Sequence, residues 1–141
     1  METGKTPIRM EVRTAEFIGK NFRGRGRMEI VLSCVKKDGS IYEVRDGFEG
    51  EGTRNQLAIE AVIKGLKRTR RPCRVELSTD CGYLNGLLEG GSLERWEKDD
   101  FMLRGKERPN AKELRLLLMV SRMHDIIIVR EDGEKDPDGA L

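Results

Sequence analysis

Apolar residues alternate with polar ones over the first third of the chain and follow helical spacing later. The alternation at residues 8–18 changes parity near Thr14, which predicts a β-strand with a bulge. Apolar, β-branched segments at residues 28–35 and 41–48 predict two further strands, and the Asp-Gly pair at 38–39 is typical of a hairpin turn. The first third of the chain is therefore expected to form an antiparallel meander.

An amphipathic helix follows the predicted meander. Thr53 and Gln56 form a capping-box pattern, apolar residues then recur on one stripe, and Pro72 ends the helix. The remaining predicted elements are a strand at residues 74–78, a short helix at 83–88, a helix at 111–123 and a strand at 125–129. The order β-β-β-α-β-α-α-β predicts an α/β fold of the mixed α+β kind. It has a five-stranded mixed sheet with flanking helices, because strand–helix–strand connections favour parallel pairing.

Chain length and charge limit the class of protein. A length of 141 residues suits one domain, which we expect at residues 8–130 with flexible termini at 1–7 and 131–141. The 27 Lys and Arg residues nearly balance the 25 Asp and Glu residues, so net charge indicates no polyanionic partner. Basic residues still cluster at 20–27, which we interpret as a glycine-rich loop, and at 67–74. Such clusters either bind phosphates or form ordinary solvated surface.

The cysteines and the hydropathy pattern point to a reducing environment. Three cysteines without C-x-x-C spacing indicate neither a disulfide framework nor a zinc site. The sequence has no signal-peptide pattern and no apolar run of membrane-spanning length. We therefore expect a cytoplasmic protein without membrane association.

An acidic residue stands where the fourth predicted strand gives way to a helix. In the stretch VELSTDCGYLNGL this residue is Asp80, and Glu16 lies near the end of the first predicted strand. Sites in open α/β sheets form at the carboxyl ends of strands, so neighbouring strands would bring the two carboxylates together around Mg²⁺. Two-metal phosphodiester cleavage usually needs more carboxylates than two. Alternatively, Asp80 caps the following helix.

Three segments resemble the ribonuclease H type 1 domain of the ribonuclease H-like superfamily. They are STDCGYLNGL, TRNQLAIEAVIKGL and WEKDDFMLRGKERPNAKEL, and the resemblance covers roughly residues 8–130. It implies the ribonuclease H-like fold, with Asp80 at the catalytic aspartate and Glu16 at the acid of the first strand. It also implies that Asn55 contacts a nucleic-acid backbone.

The sequence departs from the family pattern at the other acidic positions. The helix glutamate of the family falls on Ala58, and Glu60 is two residues further on, which turns it about 200° away around the helix. The only histidine, His124, precedes the last strand and is expected at a helix end. Beyond the last predicted strand, the aspartates are Asp132, Asp136 and Asp138, in the C-terminal segment. The resemblance thus implies a catalytically degenerate member that binds Mg²⁺ or Mn²⁺ weakly, through Glu16 and Asp80, or not at all.

These observations lead to three hypotheses about function. The first is an inactive or impaired ribonuclease H-like domain that binds an RNA–DNA hybrid or double-stranded RNA, or a protein partner. Its expected nucleic-acid contacts are Lys20, Arg23, Arg25, Arg27, Arg54, Asn55, Arg104 and Lys106, with Arg108 as a further candidate. The second is an active divalent-metal-dependent endonuclease, in which Glu60, Glu51 or a C-terminal acid would supplement Glu16 and Asp80. The third is a protein-interaction module without nucleic-acid affinity.

Overall fold

The structure is a computed structural model that describes residues 5–20 and 23–129. Its elements are β1 (Thr6–Lys20), β2 (Arg23–Val35), β3 (Ile41–Thr53), α1 (Arg54–Lys67), β4 (Cys73–Thr79), α2 (Gly82–Glu89), α3 (Ser92–Lys98), β5 (Met102–Leu103), β6 (Lys106–Glu107), α4 (Ala111–Ser121) and β7 (Asp125–Ile128). Every predicted element is present. The sequence pattern did not predict α3 or the β5–β6 hairpin, because such short elements in a charged segment show no clear periodicity.

The predicted mixed sheet is confirmed, with strand order β3-β2-β1-β4-β7. β1, β2 and β3 pair antiparallel, whereas β4 pairs parallel with β1, and β7 parallel with β4. β1 and β4 are therefore neighbours, as the proposed approach of their acidic residues requires. The predicted bulge is also present, since the register of β1 against β2 shifts between Thr14 and Glu16.

The helices cover one face of the sheet. The strand residues on this face are almost completely buried and include Met10, Val12, Met28, Ile30, Val75 and Leu77. Burial of this apolar surface stabilises the fold by roughly 25 cal/mol per Å². The opposite face carries charged pairs, among them Arg9 Nε at 3.5 Å from Glu76 Oε1. The sheet is thus apolar on one side and hydrated on the other.

The glycine-rich segment at residues 20–27 was predicted to be a loop, and that prediction is wrong. Apart from residues 21–22, which lie outside the described part, it belongs to β1 and β2. A Cβ atom on Gly24 would contact the backbone of Ile18, and one on Gly26 would lie 2.8 Å from Leu57 Cδ1. These glycines therefore let the two strands and α1 approach closely instead of providing flexibility.

The predicted flexible termini lie mostly outside the described residues. Residues 1–4 and 131–141 are not described, and β1 begins at Thr6. Among the described helices, none has the length and apolar character needed to cross a membrane.

Candidate functional site

Asp80 is anchored to β1 rather than to the helix that follows it. Its Oδ2 accepts a hydrogen bond of 3.0 Å from the backbone amide of Thr14, at the bulge of β1. The N-cap residue of α2 is Cys81, whose amide donates to Thr79 Oγ1 at 3.2 Å. The alternative prediction that Asp80 caps the helix is therefore wrong. Asp80 instead places an exposed carboxylate at the carboxyl end of β4, beside the bulge of β1.

Glu16 lies directly after the bulge and opposite Arg27 of β2. Opposed residues of an antiparallel pair project to the same face, and Arg27 is exposed between Gly26 and Met28, which face the core. Glu16 therefore projects to the face opposite α1. Because Glu16 and α1 are on opposite faces of the sheet, Glu16 is poorly placed to bind a cation together with a side chain of α1.

Ala58, which the resemblance aligns with the helix glutamate of the family, is buried. Ala58 is 1% exposed and belongs to the hydrophobic core. Glu60 faces α4 instead, where burial and the nearby Glu113 carboxylate raise the pKa of its side chain. The expectation that Glu60 points away from the site agrees with this placement.

The described acidic side chains near Asp80 are too dispersed to surround a divalent metal ion. No three His, Cys, Asp or Glu side chains within residues 5–20 and 23–129 are arranged to hold a metal ion. Glu51, considered as a further ligand, forms an ion pair of 3.4 Å with Arg25. Asp132, Asp136 and Asp138 lie outside the described residues. The described carboxylates therefore do not fit a two-metal hydrolytic site.

Cationic side chains gather around the first turn of α1. Lys20 and Arg23 oppose each other at the end of the β1–β2 ladder, and Arg23 also opposes Thr53 of β3. Arg54 follows Thr53 directly and its guanidinium lies 5.7 Å from the centroid of the Phe17 ring. We call Lys20, Arg23, Arg54 and Asn55 the α1 corner. The corner combines positive charge with free amides of a helix N-terminus.

The other two arginines of the predicted set are partly neutralised. Arg25 lies 3.4 Å from Glu51 and 4.0 Å from Glu49, its neighbours on β3. Arg27 lies 3.6 Å from Glu29. Both arginines remain exposed, so they can still contact a ligand, but a phosphate would compete with these carboxylates.

A second group of cations lies on the β5–β6 hairpin. Arg104 and Lys106 are exposed at its turn, where Arg104 has a φ of 53° and Gly105 a φ of 79°. Arg108 is partly buried, and its guanidinium lies 4.2 Å from the centroid of the Trp96 ring. Stacking of Arg108 on Trp96 fixes the base of the hairpin to α3, which restricts the motion of the hairpin that carries Arg104 and Lys106.

His124 and the cysteines have structural environments. His124 follows α4, as expected, and its Nδ1 accepts a hydrogen bond of 3.0 Å from the Cys73 amide. All three cysteines are free, in agreement with the absence of a disulfide pattern. Cys81 is partly exposed and its Sγ lies 3.7 Å from Asn55 Oδ1, which links the site strand to the α1 corner.

Two contributors to the site escaped sequence reasoning. The Thr14 amide holds Asp80, and the change of parity in the apolar pattern was its only signal. The Phe17 ring supports Arg54, but a single aromatic residue after a bulge is not informative without a structure. Both act through contacts between elements distant in sequence.

Comparison with known proteins supports the resemblance. No family model matches the chain. The protein named Ribonuclease H of Caldanaerobacter subterraneus subsp. tengcongensis is 35% identical over 108 residues, which are 76% of this chain and 67% of that protein. The Ribonuclease H of Thermoanaerobacter sp. (strain X514) is 34% identical over 91 residues, or 64% of this chain and 59% of that protein. The chain thus spans about three fifths to two thirds of the length of these relatives.

Solved structures share the fold at lower sequence identity. LC9-RNase H1, described as a type 1 RNase H with the type 2 active-site motif, matches 96% of this chain and 67% of its own with a TM-score of 0.79 and 12% identity. The foamy viral protease-reverse transcriptase in complex with an RNA/DNA hybrid matches 90% of this chain and 17% of its own, with a TM-score of 0.64 and 20% identity. Together with the curated relatives, these matches show that the chain belongs to the ribonuclease H family.

Proposed function

We propose that this chain binds RNA–DNA hybrid or double-stranded RNA through the α1 corner and the β5–β6 hairpin, with little or no hydrolysis. The observation that carries the proposal is the gathering of Lys20, Arg23 and Arg54 at the first turn of α1. None of these three side chains has a carboxylate ion pair among the described residues. They are therefore available for phosphates.

The start of α1 supplies neutral donors as well as charge. Thr53 Oγ1 accepts only the Gln56 amide, at 3.0 Å, and the first turn contains no acidic residue. The amides of Arg54 and Asn55 are in the first turn of α1, so they have no hydrogen-bond acceptor within the helix. A phosphate oxygen at this position would receive hydrogen bonds and favourable dipole interactions. Contacts of this type hold a backbone without reading sequence.

The relatives of this chain and its two cationic groups support a nucleic-acid partner. A reverse transcriptase that contains this fold has been solved with an RNA/DNA hybrid. We infer the same class of partner for this chain, since exposed cations of both groups suit backbone phosphates. A protein partner remains the alternative if nucleic acid does not bind.

Impaired hydrolysis is inferred from the acidic residues. Asp80 lies beside β1, but Ala58 provides no ligand and Glu16 projects to the face opposite α1. Weak binding of Mg²⁺ or Mn²⁺ at Asp80 is the most that this set supports. Loss of carboxylate ligands raises the barrier to phosphodiester cleavage, and each 1.4 kcal/mol corresponds to about a tenfold loss in rate.

Binding can be tested by fluorescence anisotropy with a labelled RNA–DNA hybrid over a range of salt concentrations. We expect the double variant Arg23→Ala/Arg54→Ala to bind about tenfold more weakly at low salt and to show a shallower salt dependence, because each lost phosphate contact removes about 0.9 from the slope. Arg74→Ala is the matched control, since Arg74 is exposed on β4, away from the corner. Absence of binding by the unmodified chain at low salt would contradict the proposal and favour a protein-interaction module.

An active endonuclease is the second candidate, and one observation favours it. The Asp80 carboxylate accepts a hydrogen bond of 3.0 Å from the amide of Thr14, two residues before Glu16, so two acids lie near the bulge of β1. LC9-RNase H1 is described as a type 1 RNase H with the type 2 active-site motif, so the fold accepts more than one active-site motif. Metal-dependent hybrid cleavage that Asp80→Asn abolishes would establish this candidate. Cleavage that survives Asp80→Asn would indicate a contaminating nuclease.

A further inference from the structure

A cavity lies at the opposite end of α1 from the α1 corner. It has a volume of about 680 Å³, within the range of small-molecule sites. Its lining includes Arg68, Arg70 and Arg71, which come from the basic run at residues 67–74. The proposed nucleic-acid interface does not use this run. We call this space the α1-end cavity.

The cavity exists because α1 is much shorter than the strands beneath it. A helix of 14 residues is about 21 Å long, whereas a strand of 13 residues reaches about 44 Å. Close to its end, α1 still packs tightly, since a Cβ on Gly65 would contact the Met10 side chain. Beyond that contact the sheet continues without a helix above it. Ile8, Leu32 and Val44 then form an apolar floor.

The charges around the floor have one sign. Three arginines line the cavity, and none of its described lining residues is acidic. Arg68 is paired with Asp46 at 3.2 Å. Arg70 and Arg71 are exposed and have no side-chain ion pair within the described part of the chain. Two unpaired guanidinium groups beside an apolar floor suit an anion with an apolar body.

We propose that the α1-end cavity binds a small organic phosphate of the size of a nucleoside monophosphate. Arg70 and Arg71 hold the phosphate, because guanidinium groups match phosphate oxygens in charge and geometry. The ring or apolar body of the ligand lies on the floor next to Tyr42, a residue that is 53% exposed. The cavity is separate from the α1 corner, so its occupation does not require the proposed function.

The test is isothermal titration of the full chain in phosphate-free buffer with AMP, adenosine and inorganic phosphate. We expect AMP to bind at least about tenfold more tightly than either fragment, since only AMP offers both charge and an apolar body. Equal binding of adenosine and AMP would overturn the role of the arginines. Equal binding of inorganic phosphate and AMP would overturn the role of the floor and indicate an adventitious ion only.

Variants locate the binding. Arg70→Ala/Arg71→Ala is expected to reduce the affinity for AMP about tenfold or more. Tyr42→Glu should reduce it comparably, because it places a carboxylate in the lining of the cavity. Arg74→Ala is the matched control, because Arg74 belongs to the same basic run but does not line the cavity. An unchanged affinity in the double variant, or an equal loss in Arg74→Ala, would contradict the proposal.

Competition with nucleic acid separates this cavity from the α1 corner. Saturating AMP is expected to leave hybrid binding unchanged, and Arg23→Ala/Arg54→Ala is expected to leave AMP binding unchanged. Two results together would show that the basic run is part of the nucleic-acid interface. AMP would displace the hybrid, and Arg70→Ala/Arg71→Ala would reduce the affinity for the hybrid as much as it reduces the affinity for AMP. The inference of a separate small-molecule site would then be wrong.

Discussion

The Asp80 carboxylate accepts a hydrogen bond of 3.0 Å from the backbone amide of Thr14, at the point where β1 bulges. The parallel ladder of β1 and β4 ends at Val12 and Thr79, and Asp80 accepts a hydrogen bond from a β1 amide just beyond that ladder. The contact ties the end of β4 to β1.

Substitutions at Asp80 should separate its structural role from its charge. Asp80→Asn keeps an oxygen that accepts the Thr14 amide, so we expect little change in the free energy of unfolding. Asp80→Ala removes the acceptor and should cost about 1 kcal/mol. Urea denaturation of both variants measures the difference. Equal destabilisation by the two substitutions would show that the charge, rather than the acceptor, stabilises this contact.

Ala58→Glu should be strongly destabilising without a metal. Ala58 is 1% exposed, so the new carboxylate would be buried without a partner, at a cost of about 2–4 kcal/mol. If the side chain reaches Asp80, millimolar Mn²⁺ should restore part of the melting temperature. Ala58→Gln is the control of equal size, and it should show no response to metal.

The double variant Ala58→Glu/Asp80→Asn completes this test. Its melting temperature should not respond to Mn²⁺, because one of the two ligands is missing. A response that persists in the double variant would place the metal elsewhere. No response in Ala58→Glu itself would contradict the inferred alignment of α1 with Asp80.

Glu60 should make the protein less stable as the pH rises. Burial and the Glu113 carboxylate raise the pKa of Glu60, so the folded state binds a proton more tightly than the unfolded state. Its favourable contribution is complete below the unfolded pKa of about 4.3 and is lost as the pH rises through the folded value. Glu60→Gln should therefore be more stable than the unmodified protein at pH 7, and the difference should vanish in acid.

Glu97→Gln is a control of opposite sign. The hydrogen bond from Arg122 lowers the pKa of Glu97, so its contribution is present above the unfolded pKa and is lost as the pH falls. Chemical denaturation between pH 3 and 7 compares the two variants. If Glu60→Gln lowers stability at pH 7, the carboxylate has a favourable partner and the assignment of its environment is incorrect.

His124 should make stability decrease below neutral pH. Burial first, and then the charge of Lys5, lower the pKa of this histidine. Protonation therefore favours the unfolded chain, and the contribution of neutral His124 is complete above the unfolded pKa of about 6.5 and is lost as the pH falls. His124 is the only histidine, and its contribution makes stability rise between pH 5 and 7, opposite in sign to the contribution of Glu60.

His124→Phe provides the test of this assignment. The ring volume is kept, but the Cys73 amide loses its acceptor, which should cost about 1–3 kcal/mol at pH 7. The rise in stability between pH 5 and 7 should disappear in the variant. A variant that keeps the rise would show that another group titrates in this range.

The sequence by itself determined the order of elements, the bulge near Thr14 and the cap at Thr53, because these depend on spacing and on local chemistry. Through resemblance to the family it also predicted that Asp80 stands at the position of the catalytic aspartate and Ala58 at that of the helix glutamate. The segment at residues 20–27 was misread, because glycine favours both loops and close packing, and only neighbouring elements distinguish the two.

Only the tertiary structure decided which charges act together. It pairs Arg25 with Glu51, turns Glu16 to the face opposite α1 and leaves Arg70 and Arg71 beside an apolar floor. The sequence pattern shows which residues of a strand share a face, but it does not show which residue of the adjacent strand lies opposite each of them. Charge pairing, cavities and carboxylate geometry arise from contacts between elements far apart in the chain, so they could be resolved only after the sheet order and register were known.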